Sequence, residues 1–153
     1  MTRATAMVLA GLSAATLAAC GSSGSKTVSK AQIISKGDAI CSRLNATAPT
    51  LPKSLNPTTA TPAQLKSLAP ALTKTSQIIS SEVSQVGALG TPSSDATLFK
   101  QILAEGRTSA TDFQAAAAAA AKGDRAGFLS AFARLQAVPS HGKQFGFHSC
   151  DVQ

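Results

Sequence analysis

Three cysteines, Cys20, Cys41 and Cys150, constrain this chain more than any other feature. An odd count leaves one thiol over whenever two of them pair. Cys20 stands apart. It follows an uncharged, apolar-rich run, Ala4 to Ala19, and precedes Gly21-Ser22-Ser23-Gly24-Ser25. A core cysteine needs apolar neighbours on both sides, and Cys20 has them on one. Met1-Thr2-Arg3 puts one positive charge ahead of the run. The run is shorter than the ~20 residues of a spanning helix, and it ends in small residues as a secretory leader does.

Leu17-Ala18-Ala19-Cys20 resembles the lipobox of bacterial lipoproteins. The resemblance implies cleavage before Cys20 and a diacylglyceryl group in thioether linkage on its sulfur. The lipid bilayer is then a partner, and the chain sits on the outer face of the bacterial cell membrane. The alternative is an ordinary leader cut elsewhere, with a chance cysteine. On the lipoprotein reading, residues 1–19 are leader, 20–28 are the lipidated cysteine and a flexible tether, and 29–153 are one folded domain.

Acylation of Cys20 leaves Cys41 and Cys150, in a compartment where disulfides persist. A bridge between them would close a loop of about 110 residues, for which chain entropy gives an upper figure of about 4.8 kcal/mol. Two buried free thiols are the alternative. A redox-active pair is a third reading, although no C-x-x-C is present. A staple would help a thin core: the aromatics are six Phe with no Trp or Tyr, and much of the 44% hydrophobic content is alanine.

The patterning predicts an all-α fold. Ser29-Lys30-Ala31-Gln32 has the capping-box spacing, and Ile33, Ile34, Ile40, Cys41 and Leu44 follow on one stripe, giving a helix over about 29–47. Gly37 weakens it. Thr61-Pro62-Ala63-Gln64 opens a second helix, about 62–86, with a stripe from Leu65 to Val86 and an expected kink at Pro70. Ser94 or Asp95 caps a third, about 95–122, ending in seven alanines and closed by Gly123. Asp124 caps a fourth, with Phe128, Phe132, Leu135 and Val138 inward. Pro139 interrupts it, and the pattern resumes to Phe145, with Gly146-Phe147 as a Schellman-type ending. No stretch alternates long enough for a strand. The expected fold is a small antiparallel bundle of about four helices, Pro-kinked and stapled by one disulfide. An up-down order puts Cys41 more than halfway along the first helix and Cys150 beyond the last. The bridge therefore requires a tail that turns back or a short fourth helix.

The region after Cys20 resembles small secreted lipoproteins of actinobacteria. The likeness rests on Asp38-Ala39-Ile40-Cys41, the Pro/Ser/Asp turn at 92–95, Gly123-Asp124 after an alanine-rich helix, and Phe145-Gly146-Phe147 with Cys150. It implies a helical bundle with a terminal cysteine staple and brings no catalytic residues.

The residues that carry chemistry are sparse. The two glutamates, Glu82 and Glu105, cannot supply the carboxylates and Glu-x-x-His pairs of a di-iron bundle. Haem-attachment, zinc-finger and nucleophile-elbow spacings are absent, so no cofactor or metal is expected. His141 and His148, in HGKQFGFH, are the weak candidates for a ligand or metal site. Exposed terminal histidines are the plainer reading. The chain carries a formal charge of +7. Lys26, Lys30 and Lys36 follow the anchor and could rest on anionic headgroups, or simply solvate a helix face. Nucleic acid is not expected, since no aromatic platform accompanies the charge. Two functions remain. One is a tethered, non-enzymatic interaction module facing an envelope protein, a cell-wall polymer or a lipid, with an apolar groove or cavity lined by Phe99, Phe113, Phe128 and Phe132, although ordinary core is the plainer reading of those four from their stripe spacing. The other is an envelope enzyme or small-ligand carrier with a site near His141 and His148.

Overall fold

The computed structural model describes residues 27–50 and 56–150. The leader, Cys20 and Lys26 lie outside them. Chain order is β1 (Thr27–Val28), α1 (Lys30–Asn45), α2 (Pro62–Gly87), β2 (Thr91–Pro92), α3 (Ala96–Lys122), α4 (Arg125–Ala137) and α5 (Gly142–Phe145). The fold is all-α, a small antiparallel bundle, with one two-residue parallel pair joining β1 to β2. That pair fastens the last two residues of the expected tether to the turn before α3.

Helix starts follow local chemistry. Ser29 and Thr61 each accept from the backbone N–H three residues on, and Gln32 and Gln64 each reach back to the cap N–H. Such caps contribute about 1 kcal/mol each. Asp124 caps α4 by accepting from Gly127 N–H at 3.0 Å. α2 runs on through Pro70, which lies on its exposed side; there the carbonyl freed by the missing N–H faces water. Gly123 ends α3 at φ 71°. A Cβ on it would stand 2.9 Å from Pro62 Cβ, so the end of α3 touches the start of α2.

One expectation is corrected. Neither Ser94 nor Asp95 makes a side-chain cap for α3: Asp95 sits at φ 58°, and its carboxylate pairs with Lys30 Nζ at 2.8 Å instead. The end of the chain follows expectation: α4 stops at Ala137, before Pro139, and the helical pattern resumes as the single turn α5, which ends at Phe145. Its Schellman ending is as expected, with Phe147 N–H on Gly142 O and Gly146 N–H on Lys143 O, both at 3.0 Å.

α2 and α3 form a long antiparallel hairpin with a core at each end. At one end, Leu65, Leu68 and Leu72 of α2 meet Ala116, Ala117 and Ala120 of α3, closed by Phe128 and Ala131 of α4. At the other, Val86 and Phe99 meet Ile33 and Cys41 of α1 and Phe145 and Phe147 of the tail. The phenylalanines thus fill cores rather than line one groove: Phe99 and Phe128 are buried in different clusters, and Phe113 and Phe132 are partly buried.

Cys41 and Cys150 are bridged, with Cα atoms 5.2 Å apart. Of the two routes that the sequence left open, the structure uses both. α4 is short, and the tail returns along α3 to α1. Asp38 Oδ1 accepts from His148 N–H at 2.9 Å and Ser149 N–H at 2.8 Å, and Asn45 Nδ2 donates to Ser149 O at 3.1 Å. Gly37 allows the approach, since a Cβ there would lie 2.6 Å from Phe147 Cε1. Replacing both Cys41 and Cys150 by Ser is expected to lower the unfolding free energy by about 2–5 kcal/mol in a urea titration. An unchanged midpoint would mean that packing alone holds the tail.

Candidate functional site

The α2 stripe carries a carboxylate where its spacing calls for an apolar residue. Glu82 is three residues after Ile79 and four before Val86, so all three face inward. Its side chain is 5% exposed. Among the described residues, Glu82 Oε1 is the buried side-chain polar atom that has no hydrogen-bond partner. Buried polar groups are otherwise almost always satisfied. Burial pushes the carboxyl up to about 7, from an ordinary 4.5, because a charge loses its hydration there.

Glu82 lines a small apolar cavity of about 50 Å³, together with Val83, Leu103, Phe147 and the Cys41–Cys150 bridge. Past Ile79, Ile102 and Gly106 it adjoins a second space of about 90 Å³, bounded by Ser109, Leu135, Val138, Pro139 and Glu105. Gly106 brings α2 and α3 together here, as a Cβ on it would meet Val83 Cγ2 at 2.4 Å. The space at Glu82 is a cleft between α2, α3 and the returning tail, and the second space shares Ile79, Ile102, Gly106 and Cys150 with it. A larger depression, about 360 Å³, lies on the outer side of the helix pair, but Ser80, Ser84, Arg107 and Gln114 around it are exposed.

The sequence candidates separate. His141 comes to α3, where its ring Nδ1 pairs with Glu105 Oε1 and its backbone N–H donates to Glu105 Oε2 at 3.3 Å. Both Glu105 oxygens are engaged, and they hold the start of α5 against α3. A carboxylate on an imidazole is also the orienting half of an acid–base pair. His148 is exposed beside α1, its backbone N–H on Asp38. The two histidines therefore face different helices and do not form one site. No group of three or more His, Cys, Asp or Glu is placed to hold a metal among the described residues. Lys30, expected on headgroups, is engaged within the fold by Asp95 and by the Phe145 ring, 4.9 Å from its centroid. Lys36 is exposed.

Sequence reasoning weighed Glu82 only as a missing iron ligand. The signal that it passed over was the position of Glu82 on the apolar stripe. The Glu105–His141 pair, 36 residues apart, had no local signal. Comparison with known protein families, curated proteins and solved structures finds no match to this chain.

The sign of the pH dependence follows from the raised Glu82 value. Between about pH 4.5 and 7 the folded state keeps a proton that the unfolded state has lost, so stability falls as pH rises through that window and levels off above it. At 1.36 kcal/mol per unit, reduced for water at the cleft mouth, the loss is about 2 kcal/mol. Glu82→Gln is expected to remove this part of the slope and to be the more stable protein at pH 8. Parallel urea titrations at pH 5 and 8 read it, and equal slopes in the two proteins would contradict a buried, unpartnered carboxyl. His141→Ala is expected to cost about 1 kcal/mol and to speed amide exchange in α5, while α2 keeps its protection.

Proposed function

We propose that this protein is an envelope lipoprotein, held by diacylglyceryl-Cys20 on the outer face of the cell membrane, and that its bundle is a non-enzymatic binding module. The observation that carries the reading is the use of the cysteines. The Cys41–Cys150 bridge takes two of the three thiols. That pairing suits an oxidising compartment and leaves Cys20, behind its apolar leader, for the lipid. Among the described residues no helix is long and apolar enough to cross a membrane, so attachment would rest on the acyl chains. The diacylglyceryl group supplies two chains, which suffice for stable anchoring where one alone is marginal, and basic residues add to it. Lys26 and Lys36 are the lysines for that role, since Lys30 is engaged elsewhere.

Two routes lead from the anchor to a task. An interaction module would show an outer face of the bundle to an envelope protein or wall polymer. A small-ligand carrier would use the cleft, and the unpartnered Glu82 favours it. An envelope enzyme would draw on the Glu105–His141 pair, but both carboxylate oxygens serve to hold α5, which favours a positioning role.

The test is mass spectrometry of protein extracted from its own membrane fraction. A denatured mass that begins at an acylated Cys20, and rises by two daltons on reduction, is the expected result. The Cys20→Ser protein is expected to leave the membrane fraction. An unacylated wild-type chain in the soluble fraction would overturn the reading. Under native conditions, non-covalent extra mass supports the carrier, and a bare chain supports the interaction module.

A further inference from the structure

We propose that the cleft between α2, α3 and the returning tail binds a small primary ammonium with a short apolar chain. The ammonium sits on Glu82, and the chain lies along Ile79, Ile102 and the Cys41–Cys150 bridge. The proposal rests on the carrier reading of the cleft and is independent of the anchor at Cys20.

The first argument is the orphaned oxygen. Glu82 is 5% exposed, and its Oε1 has no partner. An ionised carboxylate only accepts hydrogen bonds, so what completes it has to donate. A cation adds an attraction that grows as the dielectric falls, and charge-assisted bonds are roughly twice as strong as neutral ones.

The second argument is that no described residue offers Glu82 such a cation. Glu82 is the one titratable side chain lining its own cavity, and Glu105 lines the adjoining space. Around it, Arg43 of α1 donates to Gln85 at 2.7 Å, and Asp38 accepts from the tail amides. Glu105 of α3 holds His141, while Arg107 of α3 and His148 of the tail are exposed.

The third argument is shape. The space at Glu82 is about 50 Å³, and a separate space of about 90 Å³ shares Ile79, Ile102, Gly106 and Cys150 with it. One water takes roughly 10–15 Å³ on this measure, so the space at Glu82 holds a head group and a chain of about two or three carbons. The walls beside Glu82 are aliphatic side chains, Phe147 and the disulfide. They would leave a second polar group on the ligand unpaired, which costs binding.

Binding would require ionised Glu82, so affinity should climb through about pH 7, where its carboxyl titrates. The experiment uses the full chain carrying Cys20→Ser, with the disulfide formed and no lipid for the probe to dissolve in. n-Propylammonium and n-propanol are titrated separately at pH 6 and 8, followed by amide chemical shifts. Propylammonium is expected to saturate one site, with shifts confined to 79–86, 102–106 and Cys150. It should bind about tenfold tighter at pH 8 than at pH 6, as the ionised fraction of a group near pH 7 requires. Glu82→Gln, close to isosteric and neutral, is expected to keep the fold and weaken binding at pH 8 at least about tenfold. Ile102→Phe is expected to narrow the chain path, losing propylammonium while methylammonium still binds. The proposal falls if propylammonium shows no saturable site, if propanol binds as well, or if Glu82→Gln binds undiminished. A buried water would then be what satisfies Glu82. That failure would leave the anchor untouched, since the acylated mass reads it separately. The carrier reading would fall with it only if the native mass were also bare.

Discussion

The bridge between Cys41 and Cys150 joins two parts of the chain that the central hairpin does not join by itself. α2 and α3 hold each other along their length, through the close approach at Gly106 and the bond from Ser76 Oγ to Ala110 O at 2.8 Å. α1 enters before this hairpin and the tail arrives after it. The tail contains one helical turn, too short to be stable in isolation. It is positioned by what it meets: Asp38 and Asn45 on α1, Glu105 on α3, and finally the disulfide. Only with the tail in place are Phe145 and Phe147 buried, at 0% and 1% exposure. The second core therefore depends on a contact between residues 109 apart in the chain.

The two cores solve the problem of a chain poor in aromatics in different ways. Around the alanine-rich half of α3, small side chains let α2 and α4 come close, and leucines from α2 with Phe128 supply the volume. Around the other half, Phe99, Phe145 and Phe147 meet with ring centroids 5.5 and 5.1 Å apart, a spacing at which tilted aromatic pairs gain beyond area burial. Glu82 lies toward this second core. A well-packed aliphatic side chain there would be the stabilising choice, since a buried carboxylate is costly without a partner. Places where a sequence breaks its own local pattern are where function is first sought, and among the described residues the cleft at Glu82 is such a place.

What could be read from the residues alone is what depends on near neighbours. The capping boxes at Ser29 and Thr61, the glycine stop at Gly123 and the cap at Asp124 all act within a few residues. They were legible for that reason, as were the inward stripes of α2 and α3. The pairing of Cys41 with Cys150 was legible by counting as one reading, once Cys20 was set aside. Asp95 shows the limit of local reading. It stands where a cap belongs, yet Lys30, 65 residues earlier, takes its carboxylate.

The sequence by itself thus determined the helical class and most helix boundaries, because periodicity and caps need no knowledge of the path of the chain; it left Cys41–Cys150 as one reading among several, which the tertiary structure closed. The tertiary structure alone decided that the tail doubles back, that His141 and His148 part company, and that Glu82 is enclosed beside the disulfide without a partner. Each of these is a meeting in space between segments far apart in sequence. Its energy comes from burial and from through-space bonds, which no local pattern encodes.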